Sequence, residues 1–161
     1  MCSNGAVELT KRFGADRFAR ALESWAWLPL DGLTPRFTSL FGNVFLAGGD
    51  GSWWFLDTFD GELLRPWNTH ADLAAELDTE DGRDAYLMAA LAIGAHHRRG
   101  LTLDDDQVYT YIPPPVVTGS FAVDEIQVFD FVVAVNLAGQ LHEQLRQKGP
   151  GFTVTGFELA D

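Results

Sequence analysis

Residues 36–67 read RFTSLFGNVFLAGGDGSWWFLDTFDGELLRPW, and this stretch decides the fold. It holds four short aromatic and β-branched runs, FTSLF, NVFLA, SWWFLDTF and ELLRPW. They are parted by Gly42, by Gly48-Gly49-Asp50-Gly51 and by Asp60-Gly61. Such runs suit a pleated, half-buried surface. Glycine accepts positive φ without a Cβ clash, so GGDG and DG are hairpin signals, and the stretch predicts a small antiparallel meander. Alternation along a strand sends Trp53 and Trp54 to opposite faces, so only one of them points into the same core.

Upstream, Val7, Leu9, Phe13, Phe18, Ala21, Leu22 and Trp25 recur mostly at three- and four-residue spacings, with Gly14 and Ala15 as a break. This predicts two short helices, or one interrupted helix, over residues 6–25. Pro29 and Pro35 make the following residues a non-helical, buried connector.

Downstream, Asn68 or Thr69 can cap HADLAAELD (70–78), and Thr79 can cap EDGRDAYLMAALAIGAHHRR (80–99), where Tyr86, Leu87, Ala90, Leu91 and Gly94 share a face. Two helices are expected, the second ending before Gly100. In LTLDDDQVYTYIPPPVVTGSF (101–121), the alternation of Val108, Thr110 and Ile112 reads as a strand. Three prolines that cannot donate to a sheet place its flanks in exposed loops. Residues 123–148 predict a long helix, with Ile126, Phe129, Asn136 and Glu143 in a row of mixed polarity. Asp124 and Glu125 favour its start, and Arg146 and Lys148 its end. The tail FTVTGFEL (152–159) reads as an edge strand or a surface drape.

Together these elements predict one α+β domain over residues 1–161. A helical N-terminal segment (1–35) precedes a central antiparallel sheet, and a helical C-terminal half packs on one sheet face.

Composition narrows the function classes. At 161 residues, 47% hydrophobic and 21% charged, the chain is globular and sized for one core. Its formal charge of −12, from 23 acidic and 11 basic residues, repels a nucleic-acid backbone, and no basic patch offsets it. Lys11, Arg12, Arg17 and Arg20 are interleaved with acidic and apolar residues. His96, His97, Arg98 and Arg99 instead close a helix, where cations suit the dipole. An acidic surface favours a basic protein partner. The one cysteine, Cys2, excludes an internal disulfide and fits a reducing compartment. The first thirty residues lack a secretory pattern, and the longest apolar run, 131–139, is interrupted by Asn136. That run is well short of the roughly 20 residues a spanning helix needs. A soluble cytoplasmic protein is expected, with no membrane and no direct nucleic-acid partner.

Chemistry-bearing residues are sparse. Adjacent His96 and His97 cannot face one metal from a helix, unlike histidines at i and i+4. Asp57, Asp60 and Glu62 lack the oxygen-ligand spacing of a calcium loop, because Phe59 and Gly61 stand where ligands belong. Asp57 and Asp60 flank a DG turn, which accounts for them without catalysis. No GxSxG elbow, phosphate-binding loop or dinucleotide fingerprint occurs. The expectation is a non-enzyme without cofactor, metal site or catalytic residues. The rival reading is a small hydrolase or transferase using Asp57, Asp60 or His70 at the sheet edge. A third is a non-catalytic adaptor.

Over residues 41–144 the chain resembles the C-terminal domain of type VI secretion immunity proteins, a family that guards bacteria against a secreted DNase. The resemblance lies in FGNVFL followed by WWFLDTFDGEL, in RRGLTLDDDQVYTYIPPPVVTGSF, and in VDEIQVFDF followed by AGQLHEQL. The family's double glycine after the prolines is here Thr118-Gly119, which leaves the local turn shape open. The resemblance implies a cytoplasmic antitoxin that binds one cognate toxin, a nuclease or an NAD-consuming enzyme, and covers its active site.

On that footing, the run Asp104-Asp105-Asp106 is expected to steer the protein onto a basic toxin surface while Gln107 and Tyr109 reach the toxin's pocket. Beside the GGDG tip, Asp50 and Trp53 are expected to form a second contact patch, tryptophan being a common interface hot spot.

Overall fold

The structure is a computed structural model and describes residues 8–148. Cys2, Val7 and the tail strand expected at 152–159 lie outside the described residues.

The chain runs β1 (Thr10–Lys11), α1 (Ala15–Leu22), a 3-10 turn (Glu23–Trp25), β2 (Leu33–Ser39), β3 (Val44–Gly48), β4 (Trp53–Asp57), β5 (Glu62–Trp67), α2 (His70–Leu77), α3 (Glu80–Leu87), α4 (Ala89–Arg99), β6 (Gln107–Tyr111), α5 (Pro115–Thr118), a second 3-10 turn (Val123–Glu125), β7 (Ile126–Asp130) and α6 (Phe131–Lys148). It is an α+β fold. Strands β1 to β5 form an antiparallel sheet in sequence order, and β6 and β7 form a separate antiparallel ribbon.

The meander expected at 36–67 is present. Gly51 and Gly61 sit at positive φ in its hairpin turns, which is the conformation the GGDG and DG signals demand. Thr69 and Thr79 are the caps of α2 and α3, accepting from the N–H groups of Asp72 and Gly82.

The connector expected to be buried is half-buried to exposed over residues 26–32, Pro35 lies within β2, and the short helix α5 stands in the expected proline loop. Three further elements depart from expectation, each for a local reason. The start of the 6–25 helical segment is instead an edge strand, in which Thr10 and Lys11 pair with Ser39 and Thr38. The 80–99 helix breaks at Met88, which adopts a left-handed φ of 52°. The Asp84 carboxylate then accepts from the Ala90 N–H and restarts the helix as α4. The 123–148 helix begins only at Phe131. Ile126 to Asp130 pair instead with Gln107 to Tyr111, and the Asp130 carboxylate caps α6 through the Val133 N–H.

The helices do not pack on one sheet face alone. Val44, Leu46 and Leu56 on one face meet Phe18 and Ala21 of α1, Trp25, and Phe131, Val132 and Val135 of α6. Phe45, Trp53, Phe55 and Trp67, on the other face, meet Leu73 of α2 and Leu87 of α3. A third apolar cluster joins the ribbon residues Tyr109, Tyr111 and Ile126 to Leu40, Phe41, Phe59 and Ala92 and Ala95 of α4. Trp25 and Asn136 tie the N-terminal segment to α6. The indole of Trp25 donates to the Val135 carbonyl at 2.9 Å, and the Asn136 amide donates to the Arg20 carbonyl at 3.1 Å. The polar residue in the middle of α6 is thus a buried, satisfied contact.

Candidate functional site

The β6–β7 ribbon carries a candidate surface at each end. At the start of β6 stands the acidic turn, Asp104 to Asp106, closed by the Asp104 N–H donating to the Gln107 side chain at 2.9 Å. The Lys11 ammonium donates to the carbonyls of Asp104 (2.6 Å) and Gln107 (2.8 Å). Arg17 pairs with Asp106 at 3.0 Å and lies 4.0 Å from Asp130. Burial holds the Lys11 ammonium below its ordinary value, against the pull of Asp105, Asp106 and Asp104. The turn is therefore pinned by two cations of the N-terminal segment, while Asp104 and Asp105 stay exposed. Gln107 serves that turn rather than reaching outward.

Two expected contact residues are internal. Tyr109 is 2% exposed and donates its hydroxyl to the Leu101 carbonyl at 2.9 Å, because the inward face of β6 packs on Phe41. Trp53 is 9% exposed and tilts against His70, since the β4 face it shares with Phe55 is covered by α2 and α3. Trp54, on the opposite face, is partly buried against the α6-side cluster. Each tryptophan thus has its own core. Asp50 is exposed and organises its tip. It accepts from the Ser52 N–H and hydroxyl and lies 3.7 Å from Arg65. The Ser52 hydroxyl and then its N–H hold the Asp50 carboxyl below its ordinary value.

The carboxylates and histidine of the rival reading do not converge. Asp57 accepts from the N–H groups of Phe59 (2.9 Å) and Asp60 (3.0 Å), an Asx turn that closes the β4–β5 hairpin. Burial raises its carboxyl above the ordinary value. His70 is exposed beside Trp53, at the other end of β4. Among the described residues, no group of three or more His, Cys, Asp or Glu side chains could hold a metal ion.

At the far end of β6 the proline loop presents Ile112, Val116, Val117 and Phe121, all exposed, with Val117 at 53%. The loop is held in place. Tyr111 donates its hydroxyl to the Phe121 carbonyl at 3.0 Å, and the Phe121 ring meets Phe59 and Tyr111 edge-on at 6.0 and 5.5 Å. Burial first, with Glu125 adding, pushes the Tyr111 phenol up to about 12. Beside the loop lies an apolar recess of about 100 Å³. Phe59, Tyr111, Ile112 and Pro114 line it from the sheet side, and Ala138 and Leu141 from α6.

His142 closes the recess. It is 6% exposed, and its Nε2 lies 3.1 Å from the Thr58 carbonyl. A carbonyl only accepts, so Nε2 carries the proton. Burial holds the imidazole below its ordinary value, outweighing the Thr58 and Phe59 backbone and Asp60. Gly61 is required beside it, because a Cβ there would overlap the ring.

The fold is similar to that of Atu4351 from Agrobacterium tumefaciens. The crystal structure of that protein matches with a TM-score of 0.55 at 14% sequence identity, over 82% of this chain and 66% of that one. This chain therefore spans just under two thirds of the length of Atu4351. No family model and no curated protein match the sequence. What is shared with Atu4351 is the path of the backbone, so the chemistry of both ribbon ends rests on the side chains of this chain.

The apolar end is a candidate surface that the turn and strand signals of the sequence pass over. PPPVVTGSF reads as an exposed loop on its prolines, and the signal in it was that Val116, Val117 and Phe121 are large apolar residues in a segment barred from a sheet. The recess had no such signal, because its walls come from residues 41 to 142.

Proposed function

We propose that this protein is an immunity protein: it binds a cognate secreted bacterial toxin, a nuclease or an NAD-consuming enzyme, in the cytoplasm and covers its active site. The observation that carries this reading is the cluster of exposed apolar side chains on the held proline loop, beside an apolar recess, on a chain of net charge −12. Exposed apolar side chains gathered in one place, on a chain of strongly negative net charge, suit a protein of the opposite sign. The resemblance over residues 41–144 supplies the toxin. No helix of the described residues is long and apolar enough to cross a membrane, which is compatible with a cytoplasmic place of action.

Inhibition of this kind needs no turnover. A surface of about 800 Å² on this protein would cover a substrate entrance. The exposed carboxylates Asp104 and Asp105 raise the encounter rate with a basic toxin, and the apolar loop holds the docked pair.

Affinity capture of the tagged protein from its native cells, with each captured protein then expressed alone and together with it, tests the proposal. A stoichiometric partner that kills alone and is harmless together is expected. A stoichiometric partner that is harmless alone would make the protein an adaptor, and capture of no toxic partner would overturn the immunity reading.

A further inference from the structure

We infer that the recess between the 112–121 loop and α6 is a socket for one large apolar side chain presented by a cationic protein. This rests on the reading of the protein as the binder of a basic toxin, and specifies how the two engage.

Size comes first. An apolar cavity of about 150 Å³ accommodates benzene. A recess of about 100 Å³ that opens to the surface suits one leucine, methionine or phenylalanine side chain, seated partly within it. Its wall chemistry agrees. Phe41, Phe59, Ala138 and Leu141 offer carbon surface, and the polar groups of Thr58, Tyr111 and His142 at its edge already have partners. The Thr58 hydroxyl donates to Asn43 at 2.7 Å, its carbonyl receives the His142 N–H, and the Tyr111 hydroxyl is held by the Phe121 carbonyl. An apolar group entering the socket leaves none of these unsatisfied, so its burial is not offset by stranded polar atoms. The low basicity of His142 also keeps the socket uncharged at neutral pH.

Charge selects the occupant. Asp124 and Glu125 line the groove that adjoins the recess at Ile112, and Asp60 acts on His142 at its closed end. The cation of that groove, Arg99, is committed: its guanidinium donates to the carbonyls of Val123 (3.0 Å) and Ile126. The single positive charge of Arg99 is outnumbered by the carboxylates of Asp124, Glu125 and Asp60, so the rim is net acidic around an apolar centre. Two copies of a chain carrying −12 repel each other, which disfavours self-association through this patch. A basic surface bearing one projecting apolar residue fits both features.

The test uses the full chain, isotopically labelled, and three capped tripeptides as probes: phenylalanine between two lysines, phenylalanine between two glutamates, and alanine between two lysines. The first should shift the NMR signals of Phe59, Tyr111, Ala138 and Leu141. The second should bind about tenfold more weakly, and the third should leave those signals unmoved. Ala138→Leu, which fills the recess from α6, should abolish the shifts. Ile112→Asp, on the exposed rim, provides a second variant that does not depend on repacking the interior. Absence of shifts at these residues, or equal shifts from the alanine peptide, overturns the socket. A wild-type dimer that Ile112→Asp dissociates would assign the patch to a second copy and overturn it too.

A captured toxin should be held at least about 30-fold more weakly by both variants, as expected for loss of a central anchor. A toxin held by both as tightly as by the wild type overturns the socket and leaves the immunity reading standing. Peptide binding in the recess with no toxic partner in the cell does the reverse.

Discussion

The two ends of strand β6 are four residue steps apart, about 13 Å, and are built on opposite terms. At the acidic end every exposed charge sits near an internal answer: Lys11 holds the turn's carbonyls and Arg17 holds Asp106. At the apolar end the loop is fixed by a tyrosine hydroxyl and ring contacts, yet Ile112, Val116, Val117 and Phe121 stay in solvent. A charge run costs little when it is solvated or paired, and three carboxylates beside two cations need no partner. The exposed carbon of Ile112, Val116 and Val117 gains little for the fold, so the second surface is the stronger candidate for a docked protein. The acidic turn is left with the lesser role of steering.

That contrast can be broken at its foundation first. Phe131 is fully buried, stacks on Phe13 at 3.9 Å and donates its N–H to the Asp106 carbonyl at 2.8 Å, so it supports the acidic end from below. Phe131→Ala should cost about 3–5 kcal/mol of stability, read by chemical denaturation. A loss under 1 kcal/mol would mean that the acidic end is not built on this contact.

Steering is the next effect. Replacing Asp104, Asp105 and Asp106 together with asparagine should slow association with a captured toxin about tenfold at low salt and flatten its salt dependence, with dissociation nearly unchanged. Stopped-flow mixing at two ionic strengths measures both. Unchanged association removes the turn from the encounter.

Tyr111→Phe removes only the hydroxyl that fixes the proline loop at the Phe121 carbonyl. It should cost about 1 kcal/mol in thermal or urea unfolding, and hydrogen exchange in residues 112–121 should rise. A loop equally protected in the variant would place its anchor elsewhere.

The smallest effect is a pH dependence at the recess. The imidazole of His142 is held below 6.5 in the folded chain. The unfolded chain therefore binds more protons as pH falls through 6.5, and stability declines over that interval. His142→Gln should flatten the decline. A wild-type stability that rises over that interval would contradict a buried, neutral His142.

Much of this architecture was legible in residues 36–67, because DG and GGDG turns and aromatic runs leave few alternatives to a meander. The ribbon was harder. Ile126, Phe129 and Val132 satisfy a helical row, yet Ile126, Val128 and Asp130 alternate as a strand does, and residues 126–130 pair with β6. The arbiter, Asp130 capping α6, marks a helix start at Phe131, eight residues later than the expected 123. Met88 gave no warning, since left-handed backbone at a non-glycine residue is set by its surroundings.

Of the expected contact residues, Asp104, Asp105 and Asp50 are exposed, but Tyr109 and Trp53 are internal. Alternation tells which residues share a face and not which face is covered, and α2, α3 and Phe41 decide that. The cations that answer the acidic turn lie about ninety residues upstream, beyond the reach of any local pattern.

The most direct test of the division between the two ends is the dissociation rate of the captured toxin from Val117→Asp, set beside the wild type. Val117 is exposed, so the substitution should change stability by less than about 0.5 kcal/mol. Dissociation should be about 100-fold faster, with association little altered. Dissociation at the wild-type rate from a normally folded Val117→Asp protein would contradict that division and return the interface to the acidic end.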